Sequence, residues 1–120
     1  MISKYNFHCP LCHAHLNQKD KITLKTIRLN GEEGEIQMDT TVGNYEYVHT
    51  PEVQFEPGEI VDFVCPACNK TLNSKEFKNY AMLKMHVDEN IIFEVLFSRQ
   101  AGVQKTYLIT EDGIESYSGN

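Results

Sequence analysis

No apolar run in this 120-residue chain approaches the ~20 residues that a membrane-spanning helix needs. Residues 1–6 lack the apolar centre and small-residue cleavage site of an export signal. A cytoplasmic location with reduced thiols is therefore the expectation, which argues against an extracellular disulfide framework. Proline is scarce, at four residues, and charged residues make up 23%, a composition unlike that of a disordered chain. Tryptophan is absent, which excludes nothing, because six Phe and six Tyr within a hydrophobic fraction of 41% suffice for a modest core. There is no Gly-rich phosphate loop, no G-x-S-x-G and no H-E-x-x-H, so no catalytic residue is assigned and an enzyme is not expected.

Charge is missing locally as well. Residues 29–64 carry nine acidic side chains and no Lys or Arg. Lys4, Lys19, Lys21, Lys25 and Arg28 lie before that stretch, and Lys70, Lys75, Lys78 and Lys84 after it. The formal net charge of −6 disfavours nonspecific contact with nucleic acid. The acidic stretch is an ordinary solvated face or a surface for a basic partner.

Against these absences stands one phrase written twice. Phe7-His8-Cys9-Pro10-Leu11-Cys12 with Leu16-Asn17 returns fifty-six residues later as Phe63-Val64-Cys65-Pro66-Ala67-Cys68 with Leu72-Asn73. The two copies contain all four cysteines. Two Cys-x-x-Cys hooks supply four thiolates, the ligand set of a closed tetrahedral zinc site, so Cys9, Cys12, Cys65 and Cys68 are the expected metal ligands. Paired redox-active dithiols fit less well, because neither hook opens a long amphipathic helix. Pro10 and Pro66 fix φ just after the first Cys of each hook. Phe7, Phe63, Leu16 and Leu72 are expected to form an apolar jacket around the site. His8, His13 and His15 crowd the first hook. With four thiolates available they are read as neighbours of the site, and His49 and His86 as surface or internally satisfied groups.

On these knuckles the chain resembles the zinc-ribbon and rubredoxin-like group, in which two Cys-Pro-x-Cys turns clasp one metal. The resemblance covers some twenty-two residues and implies an architecture, with no activity attached. Such knuckles usually carry Gly directly after the second Cys, where φ is positive; His13 and Asn69 stand there in this chain. The resemblance implies one Zn2+ as cofactor, with Fe the less favoured alternative of a rubredoxin-like electron carrier.

The remaining pattern is mostly of period two, so strands dominate. Strands are expected over 22–29, 36–42, 45–49, 60–64, from about 81, and over 91–98, 103–110 and 114–117, with a short turn or helix at 74–79. Asn30-Gly31 marks a hairpin, and Glu56-Pro57-Gly58-Glu59 a type II turn. The predicted fold is mainly β, in one domain over 1–120: a zinc-ribbon-like knuckle pair at 7–17 and 63–73, an inserted β-hairpin within 18–62, and a C-terminal antiparallel β meander over about 81–118. The meander's core is expected to draw on Ile91, Phe93, Val95, Phe97, Tyr107 and Ile109. The expected function is a zinc-binding protein-interaction or assembly module whose partner is another protein. The alternatives are an iron electron carrier and a nucleic-acid-contacting ribbon; no membrane partner is expected.

Overall fold

The computed structural model describes residues 5–119. It is all β, with no helix among the described residues. Ten strands follow one another: β1 Asn6–His8, β2 Asn17–Gln18, β3 Lys21–Ile27, β4 Glu33–Asp39, β5 Tyr47–Thr50, β6 Asp62–Val64, β7 Tyr80–Asp88, β8 Ile91–Ser98, β9 Lys105–Thr110 and β10 Gly113–Ser118. They form two antiparallel sheets. One runs β1-β7-β8-β9-β10; the other runs β2-β3-β4-β5, with β6 also paired to β3.

The turn chemistry explains the hairpins. β3 turns into β4 through Asn30-Gly31, where Gly31 has φ 90° and Arg28 N donates to the Glu32 carbonyl at 2.8 Å. Gly58, with φ 82°, sits third in a turn closed by Glu59 N donating to the Glu56 carbonyl at 3.0 Å, as the type II pattern requires. Residues 74–79 are a turn with the Phe77 amide bonded to Ser74 Oγ, and strand begins at Tyr80.

The repetition extends well beyond the knuckle phrase. Phe7 pairs with Met85, and Phe63 pairs with Thr26. Leu24 pairs with Ile36 and Leu83 with Val95; Ile36 then pairs with His49 and Val95 with Leu108. Thr26 thus matches Met85, Ile36 matches Val95 and His49 matches Leu108, all at one constant offset. The chain is a tandem of two like halves: leading strand, knuckle, short return, long strand, hairpin partner and third strand. The leading strands are exchanged. β1 of the first half lies on β7 of the second, and β6 of the second lies on β3 of the first. The hairpin expected within 18–62 is β3–β4, and β7–β8 is its counterpart.

The core lies between the sheets, with Phe7, Leu24, Leu72, Leu83 and Met85 essentially sealed from water. In β9 the inward phase differs from the sequence expectation: Thr106 and Leu108 are buried, while Tyr107 and Ile109 are only partly covered. Register sets this. Leu108 lies opposite Val95 and so takes its face, whereas Tyr107 lies opposite Leu96 and approaches Tyr80, ring centroids 5.6 Å apart. Ile91 and Phe93 are likewise only partly buried, and Val95 carries the centre of β8.

Candidate metal centre

Each knuckle is built by the same backbone bonds. In the first, His13 N donates to the Cys9 carbonyl (3.0 Å), Cys9 N to the Ala14 carbonyl (3.0 Å) and Leu16 N to the Phe7 carbonyl (2.8 Å). In the second, Asn69 N, Cys65 N and Leu72 N donate to Cys65, Lys70 and Phe63 at 2.9, 3.0 and 2.8 Å. Both turns need a left-handed residue after the second Cys. His13 and Asn69 adopt it, with φ 65° and 61°. Asn accepts this conformation readily and here gains a bond, since Lys25 Nζ donates to Asn69 Oδ1 at 2.8 Å.

The two turns bring their sulfurs together. The ligand atoms of Cys9, Cys12, Cys65 and Cys68 all lie within 4.8 Å of one another. Across the hooks, Cys9 Sγ is 3.9 Å from Cys68 Sγ, and Cys12 Sγ is 3.7 Å from Cys65 Sγ. A tetrahedral ion with metal–sulfur bonds of about 2.3 Å requires sulfur separations of about 3.8 Å. The four cysteines are therefore in a metal-binding arrangement, and the donor set suits a soft or borderline cation.

Local electrostatics points the same way. Burial pushes the Cys65 thiol up to about 12 and also raises Cys9; both residues are 0% exposed. Cys12, at the exposed edge, is lowered, first by the backbone N–H of Ala14. Leu11 N and Cys12 N point at Cys9 Sγ at 3.3 and 3.5 Å, and Ala67 N points at Cys65 Sγ at 3.4 Å. These donors are set for thiolates, yet burial alone keeps two of the sulfurs protonated. A cation held among the four sulfurs would supply the missing charge.

The jacket expected from the sequence is in place: Phe7, Leu16 and Leu72 are each 2% exposed and Phe63 is 7% exposed, all in one apolar cluster with Cys9 and Cys65. The histidines stay outside the sulfur cluster. His15 Nε2 lies 3.1 Å from Asn6 Oδ1, and the His8 ring is held between those of His15 and His86, at centroid distances of 5.2 and 3.9 Å.

His49 is internally satisfied. Its Nδ1–H donates to the Pro51 carbonyl at 2.7 Å, and its Nε2 lies 2.6 Å from Thr26 Oγ1, both residues being buried. Pro51 offers only an acceptor there, so Nδ1 carries the proton and Nε2 accepts from Thr26 in the neutral ring. Neither this pair nor the full duplication was read from the sequence. Leu24-Lys25 with Glu35-Ile36, returning as Leu83-Lys84 with Glu94-Val95, is the signal that reveals the latter.

Fold and site together define a two-sheet β protein with a four-cysteine metal-binding arrangement joining its halves. No family model, no curated protein and no solved structure matches the chain. No helix among the described residues is long and apolar enough to cross a membrane.

Proposed function

We propose that the chain is a small zinc-binding module in which Cys9, Cys12, Cys65 and Cys68 hold one structural Zn2+, and in which the sheets so organised present a surface to a partner protein. The observation that carries the metal reading is the closed set of four sulfurs, two of them fully buried, contributed equally by two halves far apart in sequence. Four protein ligands leave no open position for a substrate, which favours a structural over a catalytic role. Elemental analysis and absorption of the purified protein test it. One zinc per chain and no visible colour is the expected result; stoichiometric iron with visible absorption moves the assignment to an electron carrier.

The interaction reading rests on a difference between the sheets. The outer edge of β9 is covered by β10, whereas its counterpart β5 pairs only with β4 among the described strands and exposes Tyr47 and Val48 at 52% and 63%. An uncovered edge offers its backbone to another strand. The acidic surroundings, Glu33, Glu35, Glu46 and Glu52, favour a basic segment in that place. A Val48→Lys variant should retain zinc and lose any partner captured by the native protein; retained capture contradicts the use of this edge. Of the basic residues near the knuckles, Lys25 has a local role, donating to Asn69.

A further inference from the structure

Between the two sheets lies a cavity of about 770 Å3. Small-molecule pockets typically span about 300–1,000 Å3. Its walls come in matched pairs from the two halves: Phe7 with Phe63, Ile36 with Val95, Met38 with Phe97. The duplication therefore continues past the metal centre into this space. The loops around its mouth match too, since the β4–β5 and β8–β9 connections join equivalent strands at the same spacing and both line it.

The charged groups restrict what can enter. Arg99 is held by Asp62 and by the Val61 carbonyl, the latter at 3.1 Å. Asp39 accepts from Thr41 N at 2.7 Å and from Lys21 Nζ at 3.4 Å. Lys105 is exposed and shares the rim with the exposed carboxylates Glu46 and Glu52. The apolar interior thus offers an anionic headgroup no uncommitted buried cation, and burying a lone charge there is costly. The remaining rim groups, among them Thr40, Asn44 and Gln104, can hydrogen-bond a neutral polar substituent.

We propose that this inter-sheet cavity is a binding site for an uncharged, predominantly apolar small molecule. The site adjoins the β5 edge, with which it shares Glu46, Tyr47 and Glu52, and it does not depend on the identity of the metal. Hydrophobic transfer supplies the affinity, and an apolar interior with no uncommitted buried cation, below the rim carboxylates Glu46 and Glu52, selects against carboxylates and phosphates.

The test uses the metal-loaded full chain, Nile red as a neutral probe and a dansylated undecanoic acid as an anionic one. Methionine methyls are followed by NMR. Met38 lines the cavity, whereas Met82 follows the opposite alternation on β7 and does not line it. Expected are saturable one-to-one binding of Nile red, a Met38 shift with the same midpoint, an unmoved Met82 and at least ten-fold weaker binding of the anionic probe. Val95→Trp, which fills the cavity, should weaken Nile red at least ten-fold while zinc content is retained. The Met38 readout needs no variant and stands if Val95→Trp does not fold. An unmoved Met38, equal affinity in a folded Val95→Trp, equal binding of the anionic probe, or light scattering in which self-association competes with the probe each overturns the proposal.

Discussion

In the second half of the molecule Met85, Phe93 and Leu108 stand at matched places on three neighbouring strands; in the first half the same places hold Thr26, Gly34 and His49. The backbone is the same and the chemistry is different. The second half builds with apolar bulk, and the first with a buried polar pair. Gly34 makes the substitution feasible, because a Cβ there would meet His49 Cε1 at 2.5 Å. Duplicated architecture therefore tolerates two interior solutions, provided that each buried nitrogen and oxygen finds a partner. The knuckles were not free to diverge in this way. Each still supplies one fully buried and one more accessible cysteine, because the metal-binding arrangement draws on both.

The largest effect should come from that shared requirement. Cys9→Ser and Cys65→Ser occupy equivalent places, and each should abolish stoichiometric metal and destabilise the protein by more than ~4 kcal/mol, the range in which loss of a metal site falls. Denaturant unfolding of the two variants should give nearly equal midpoints. A large inequality would break the equivalence of the halves.

Next comes the buried pair. His49→Leu brings in the second half's residue but leaves Thr26 Oγ1 unpartnered, which should cost about 1–3 kcal/mol. Adding Thr26→Val should restore part of that loss in a double-mutant cycle; simple additivity would mean that the pair is not coupled. Gly34→Ala should be destabilising in the native background and less so beside His49→Ala. The relief should be partial, because the new Cβ also lies 2.9 Å from the Thr50 carbonyl oxygen.

A smaller difference separates the two left-handed positions. His13→Gly should stabilise the protein by about 0.5 kcal/mol, since relief of positive-φ strain is partly offset by the freer unfolded chain. Asn69→Gly should gain nothing, because Asn tolerates this geometry and the bond from Lys25 is lost. Thermal melts of the two variants compare the knuckles directly.

The last contrast, read along the pH axis, concerns Arg28, whose counterpart is Val87. The Arg28 guanidinium bonds Glu59 through Nε and one terminal nitrogen, both at 3.0 Å, and holds its carboxyl below the usual range. A depressed carboxylate stabilises the fold above its unfolded-state pKa, and that contribution is lost as pH falls through the folded-state value. Arg28→Val should therefore move acid unfolding to higher pH.

The sequence made some of this legible for physical reasons. Cysteine spacing exposed the candidate site because thiolate ligation demands particular residues in a particular turn. Asn30-Gly31 and Pro57-Gly58 exposed two turns because few residues accept positive φ. The phase of β9 was hidden, since Thr106, Tyr107, Leu108 and Ile109 suit either face until pairing with β8 fixes one. The duplication past the knuckles was hidden because packing requires shape and satisfied polarity, which Thr26–His49 and Met85–Leu108 provide with no residue in common. The sequence could not choose between a surface and an internally satisfied His49, because its partners come from another strand and from a loop.

One metal ion clasping both halves should make them unfold as a single unit. Thermal unfolding with and without a zinc chelator tests it most directly, followed by the methyl resonances of Met38 in the first half and Met85 in the second. Chelation should lower the transition sharply and abolish both native resonances together. An unchanged melting curve, or loss of one half's resonance while the other persists, would contradict it.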